Sequence, residues 1–230
     1  MKARKRRTDG KIIKNDQWAD DAAFVAFLVR SFTAAKEVMR PGAAFYIWHA
    51  STETDHFHEA AEESGLQVRE LLVWVKNTFA LGRQDYQWRH ELCHYGWKDG
   101  AGHYFAPTRK ETTVVEDQID PDKMSKKELQ DYLREILDEE RTPTTVLHED
   151  KPTRSELHPT MKPIKLMARL IRNSSRPGEI VLDPFGGSGS TLIACEQMGR
   201  KCYTAELDPQ YAQTIIDRWE EFTGRKAVRI

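Results

Sequence analysis

The residues best suited to do chemistry lie in Asp183-Pro184-Phe185-Gly186-Gly187-Ser188-Gly189-Ser190-Thr191. Gly186, Gly187 and Gly189 make a turn with no side chains in the way, so backbone N–H groups can approach a bound group closely. Ile180, Val181 and Leu182 precede the turn, and a helix-like run follows it. Strand, glycine turn and helix form a cradle for a nucleotide-like ligand. Glu206 follows 20 residues after Gly186, about the separation at which a carboxylate reaches ribose hydroxyls. The turn is not Gly-x-Gly-x-x-Gly, because Leu192 stands at the third glycine position, and no Lys-Ser/Thr pair makes it a phosphate loop. A second candidate is His90-Glu91-Leu92-Cys93-His94, which satisfies the H-E-x-x-H zinc signature. That chemistry needs a helix, which puts both imidazoles on one face. Trp88, Tyr95 and Trp97 favour a strand, which would separate the histidines by about 13 Å. A zinc hydrolase is therefore the remote reading, and histidines on a polar strand face the better one.

The elements that must hold these groups follow from periodicity. Apolar residues at 3–4 spacing predict a helix over 20–39, with Asp20 or Asp21 as cap and Pro41-Gly42 as its end. A strand over 43–49, a short helix over 57–64 and a strand over 70–76 come next. Helix–strand–helix–strand at these intervals predicts a parallel sheet with helices on its faces. Residues 86–97 read as the last strand of this half. The segment 98–157 is polar and irregular. Ser125 to Glu128 is a capping box that opens an amphipathic helix through Leu129, Leu133 and Leu137. Its solvent face is acidic, which predicts packing or a protein partner rather than phosphate contact. Residues 142–156 read as a linker. A helix over 161–173 leads to a buried strand over 179–182, a helix over 190–198 closed by Gly199, and a strand over 201–207 bearing Glu206. The last helix, 209–222, should turn Tyr211, Ile215, Ile216, Trp219 and Phe222 inward.

Bulk properties bound the partners. The chain has room for one α/β domain with a small attachment. Its formal net charge is −1, so any nucleic-acid surface has to be a local patch. Cys93, Cys195 and Cys202 form no C-x-x-C pair and suggest reduced thiols in a cytoplasmic protein. No apolar run is long enough to span a membrane.

The glycine stretch resembles motif I of the amino-DNA methyltransferases, in which Phe replaces the first glycine of other S-adenosylmethionine (AdoMet) enzymes. His158-Pro159-Thr160-Met161-Lys162-Pro163 looks like motif X of that family. Residues 45–49 look like motif VI, and Trp74-Val75-Lys76-Asn77 like the W-x-K-N of motif VIII. Glu206 matches the motif II acid. The resemblance is to the permuted β order of bacterial and phage type, and it covers most of the chain. It implies an α/β, Rossmann-like AdoMet-dependent sheet with helices on both faces, circularly permuted and lacking its N-terminal strands. Three segments follow: 1–97 as the remnant of the catalytic half, 98–157 as recognition insert and linker, and 158–230 as the AdoMet-binding half.

The same resemblance implies site residues. AdoMet would be held by Thr160, Lys162, Asp183, Phe185, Gly187, Gly189, Ser190, Thr191 and Glu206. Trp74, Lys76 and Asn77 would line the target-base pocket. Double-stranded DNA would be met by Arg83, Gln84, Arg109 and Lys110, with Lys76 and the basic start. The implied reaction is methyl transfer to an exocyclic amine, with adenine N6 favoured over cytosine N4, in the setting of restriction-modification. The family's catalytic motif IV, (Asp/Asn/Ser)-Pro-Pro-aromatic, is not found: the sequence holds no Pro-Pro dipeptide. No motif IV residue is thus assigned. In the family, the strand bearing it lies between those at 180–183 and 44–49. A second chain supplying it, a homodimer partner, or a non-catalytic AdoMet- and DNA-binding derivative are the open alternatives.

Overall fold

The computed structural model describes residues 18–80, 85–106, 146–148 and 162–229, with the side chains of 77–80 and 146–148 outside that description. The basic start, the helix expected after Ser125 and the 158–161 part of the motif X stretch lie outside the described residues.

Helix α1 spans Asp21–Val38. Asp20 caps it, its Oδ1 accepting from the Ala23 N–H at 2.8 Å, which satisfies one of the free donors at a helix start. At the other end Lys98 Nζ donates to the carbonyls of Lys36 and Met39 at 2.8 and 2.6 Å, a cation placed on the negative end of the helix dipole. Gly42, at φ +77°, turns the chain where an added Cβ would stand 2.5 Å from the Gly102 carbonyl oxygen, so a side chain there is excluded. Strand β1 (Ala44–His49) follows, then a 3-10 turn (Ser51–Glu53), helix α2 (Thr54–Glu63), β2 (Val68–Ala80) and β3 (Trp88–Trp97).

The four-stranded sheet has the order β1-β3-β2-β4, with β4 at Val146–His148. The wholly parallel sheet expected from the helix–strand alternation is not formed. Strand β3 turns back from β2 and slots between β1 and β2, antiparallel to both, with Tyr46 opposite Tyr95 and Leu72 opposite Cys93. β1 and β2 still run the same way, as alternation requires. The pattern specifies direction, not adjacency, and an inner antiparallel strand satisfies both edges. β3 is thus an interior strand rather than the last one. The segment expected as a linker contributes β4, which pairs in parallel with Val73–Val75 of β2.

Period two divides this sheet cleanly. On one face, Leu72, Trp74, Cys93 and Tyr95 pack beneath Leu166 and Leu170 of α3 (Ile164–Ser174). On the other, Phe45 packs with Leu28 and Phe32 of α1 and Ala60 and Ala61 of α2. Helix α3 also serves a second core, where Ile171 meets Ala194 and Cys195 of α4 (Ser190–Gln197). Tyr46 Oη and Ser174 Oγ, 2.7 Å apart, tie β1 to its end.

The second sheet has two parallel strands, β5 (Ile180–Asp183) and β6 (Lys201–Thr204), with Leu182 opposite Tyr203. β5 is not buried as expected: Ile180 and Leu182 are exposed, as are Tyr203 and Leu207. Helices cover one face of these strands and leave the other apolar face open. Among the described residues β5 pairs with β6 and β1 with β3, so the outer edges of β1 and β5 carry no partner strand. The ion pair Arg40–Glu179, at 2.6 Å, joins the entries of those two strands. The last helix, α5 (Pro209–Thr223), is capped by Asp208 and closed by Gly224 at φ +68°. It buries Ile215, whereas Ile216 and Phe222 are exposed, against expectation. The apolar stripe was read too wide, because only a narrow face of α5 meets α4 and the glycine loop. No helix among the described residues is long and apolar enough to cross a membrane.

Candidate functional site

β5 delivers Asp183 to the start of the glycine loop and α4 begins at Ser190. Gly186 lies against β6 and α5: a Cβ there would stand 2.4 Å from Thr204 Oγ1 and 2.8 Å from Ile215 Cδ1. Gly187 and Gly189 have φ of +54° and +79°, the left-handed region that L side chains resist. The Gly186 N–H donates to the Ala205 carbonyl at 2.8 Å. Asp183 Oδ1 accepts from the Phe185 N–H at 3.1 Å, and Ser190 Oγ donates to the Lys162 carbonyl at 2.8 Å. The Arg218 guanidinium, from α5, donates to the Ser188 carbonyl, a brace that no motif signals.

Glu206 lies just beyond β6, two residues past the observed end of that strand. One carboxylate oxygen accepts from the Gly187 N–H at 2.7 Å and the other from the Asp208 N–H at 2.9 Å. It therefore holds the glycine loop in place. Each oxygen keeps a lone pair for a further donor, which suits hydroxyl groups such as those of a ribose. The loop brings backbone and no bulk. Phe185 exposes its ring, which meets Phe27 of α1 in a T-shaped arrangement with ring centroids 6.3 Å apart. A small cationic nucleoside fits this donor set: acceptors at Glu206 and Asp183, an aromatic edge, and no lysine or arginine in the loop sequence.

A second cluster sits on the α3 side of the larger sheet. Trp74, opposite Glu91 in the β2–β3 register, is fully buried. It underlies the site as core rather than presenting a surface. Lys76, two residues on, projects on the same face and is also buried. Its Nζ lies 2.8 Å from Glu91 Oε1, and Lys162 Nζ lies 3.5 Å from Glu91 Oε2. Burial pushes the Glu91 carboxyl up, but Lys162 and Lys76 together outweigh it and hold the group below its ordinary range. The two ammonium groups stand over indole rings, Lys162 at 5.3 Å from Trp48 and Lys76 at 5.7 Å from Trp74. Trp48 Nε1 is buried with no hydrogen-bond partner among the described residues.

The H-E-x-x-H stretch lies on β3. Alternation sends His90 and His94 to the α1–α2 side of the sheet and Glu91 to the α3 side, so the three groups cannot share one ion. His90 Nε2 is hydrogen-bonded to Ser51 Oγ at 3.1 Å. The histidine face is not polar, as expected, but closed: His94 and His49 are buried, with ring centroids 4.3 Å apart, and Phe57 and His58 of α2 pack over them. Burial first, then His49, and less so His58, push His94 down to about 4, against a weaker upward pull from the Thr54 backbone. Among the described residues no three His, Cys, Asp or Glu side chains are placed to hold a metal ion.

Of the residues expected at the site, the structure brings Asp183, Phe185, Gly187, Gly189, Ser190, Thr191 and Glu206 around one loop, with Ser190 and Thr191 buried. It sets Lys162 between that loop and Lys76. The Asn77 backbone continues β2. Thr160, Arg83, Gln84, Arg109 and Lys110 lie outside the described residues. In the sequence Glu91 stands out only as part of the H-E-x-x-H stretch. Its one sequence signal was an acid on a strand that also carries buried aromatic residues.

A family model described as DNA methylase, of the N6/N4 type, matches residues 7–217. The chain belongs to this DNA methylase family. Among curated relatives, the putative methylase YubD of Escherichia coli K12 is 50% identical over 54 residues, covering 24% of each chain. The DNA adenine methyltransferase YhdJ of the same organism is 44% identical over 63 residues, 27% of this chain and 21% of that one. The matched stretch thus spans about a quarter or less of the relatives' length. Among solved structures, the M1.HpyAVI–SAM complex aligns with a TM-score of 0.61 at 23% identity, over 84% of this chain and 82% of that one. The cytosine-N4-specific PvuII DNA methyltransferase aligns with a TM-score of 0.66 at 15% identity, over 92% and 79%. At these identities the structural likeness establishes the methyltransferase fold, the α/β class expected from the sequence.

Proposed function

We propose that this chain works in AdoMet-dependent methylation of double-stranded DNA, with the exocyclic amine of adenine as the acceptor. The observation that carries the reading is Glu206: its carboxylate clasps the glycine loop through Gly187 and Asp208 and retains acceptor capacity for ribose hydroxyls. Family membership supports it, as does similarity to a protein complexed with SAM and to a DNA adenine methyltransferase.

AdoMet, when bound, supplies a methyl group already activated by its sulfonium. The rest falls to the protein. An exocyclic amine is a weak nucleophile because its lone pair is delocalised into the ring, so the base must leave the stack and be held in line. Glu206, Phe185, the loop glycines, Asp183, Ser190 and Thr191 would hold the nucleoside, with Thr160 and Lys162 towards its methionine end. Lys76, above Trp74, and Asn77 would border the target base. Arg83, Gln84, Arg109 and Lys110 would meet the phosphates, with binding that weakens steeply in salt.

The family's motif IV, which by resemblance would accept the amine hydrogens, is not found in the sequence, which holds no Pro-Pro dipeptide. We propose that a further strand, from a second polypeptide or a dimer partner, seats between β1 and β5 and carries them. The outer edges of those strands, which carry no partner strand among the described residues, support this, since an unpaired edge invites pairing. Calorimetry with AdoMet and tritiated methyl transfer to DNA test the reading. Absence of AdoMet binding would overturn it. Label recovered in cytosine would move the acceptor from adenine N6 to cytosine N4.

A further inference from the structure

The proposed function leaves Glu91 of the H-E-x-x-H stretch unused, and its surroundings give it a task. Among the described residues it is the carboxylate that pairs with both Lys76 and Lys162. Lys76 comes from β2, on the side read as the target pocket. Lys162 comes from the segment leading into α3, and its carbonyl receives the Ser190 hydroxyl at the start of α4. A single side chain thus connects the strand of one half to the helix start of the other.

The charges indicate what happens without it. Among the described residues, two ammonium groups and one carboxylate leave a net +1 where Lys76 has only 9% of its side chain exposed. Taking away the carboxylate leaves +2 among those groups in a place of low dielectric, with buried Lys76 deprived of its shown partner. The more exposed Lys162 would keep its contact over the Trp48 ring but lose its carboxylate anchor, and a shift of its backbone would loosen the hydrogen bond that its carbonyl receives from Ser190 at the mouth of the glycine loop.

We propose that Glu91 is a positioning residue of this site: its carboxylate fixes Lys76 and Lys162 between the cofactor loop and the target pocket, so AdoMet affinity depends on it without its touching the ligand. This rests on the AdoMet reading above. The role is distinct from fold stabilisation alone, because it runs through Lys162.

The test is calorimetry of AdoMet binding, with thermal melting alongside, for wild type, E91Q, K162M and the double variant. E91Q and K162M should each weaken AdoMet by about tenfold, the scale of one lost charge-assisted contact. The double variant should be no weaker than E91Q within about twofold, since both act through one link. Tight binding by E91Q, or losses that multiply in the double variant, overturns the proposal. If E91Q does not fold, E91Q/K76M removes the buried pair together, and the same tenfold loss is expected of it. Failure of wild type to bind AdoMet brings down the function reading and this one with it. Binding by wild type that E91Q leaves unchanged brings down this one alone.

Discussion

The two halves of the site are built in opposite ways. The glycine loop is local: β5, the turn and α4 follow one another, and the distant group that completes it, Glu206, stands just beyond the next strand. The lysine–glutamate cluster is assembled from positions 76, 91 and 162, on three separate segments. A local site is specified by a short run of residue types and survives loss of distant parts. An assembled site exists only when the whole sheet is in register. The first should bind ligand in many sequence contexts, and the second should be the more sensitive to substitutions that shift strand register.

The largest effect expected from this contrast is on turnover. Residues 1–230 alone should bind AdoMet yet transfer methyl groups about 10²–10³-fold more slowly than with the motif IV strand added, the usual cost of a missing electrostatic partner. Tritium counting with and without that segment measures it, and full turnover by the chain alone would break the contrast. Next is Glu206→Ala, which removes the loop clasp and the acceptors together. It should weaken AdoMet by about 1.5–3 kcal/mol per lost charge-assisted hydrogen bond before water compensates, read by calorimetry. Equal affinity would sink the ribose assignment.

Gly189→Ala should cost about 1–3 kcal/mol in stability, because alanine resists the φ of +79° found there. Denaturant melts would show it, with β1–β3 contacts reported intact by tryptophan fluorescence if the loop really is local. The smallest effect is in pH. His94 titrates near 4 when folded, below its ordinary value, so between those two values the unfolded chain binds the extra proton. Stability should fall as pH drops, by about 1 kcal/mol from pH 6 to 5. His94→Phe should flatten that slope in thermal melts, and an unchanged slope would place the titrating group elsewhere.

The local half was largely legible in the sequence. Gly186, Gly187, Gly189 and Glu206 carry their geometry in their spacing, because only glycine suits the turn and strand–turn–helix has few solutions. The assembled half was legible only in parts. β2 and β3 were seen as strands, yet their adjacency was not, since alternation is silent on which strand lies inside. Glu91 was missed because its meaning depends on Lys162, far along the chain and brought near by α3. The sequence puts His94 on a polar strand face, because a polar residue on a strand gives no sign of the helix that will cover it. The exposed face of β5 went the other way: Ile180 and Leu182 promise burial that the described residues do not provide.

Helix α3 sets how the protein comes apart. Leu166 and Leu170 are embedded in one core and Ile171, one residue later, in the other. Neither core can lose its order while α3 stays seated in both. The halves should therefore melt together, as a single calorimetric transition, even though their backbones form separate sheets. Their cooperativity passes through eleven residues of helix rather than through a shared ladder of strands.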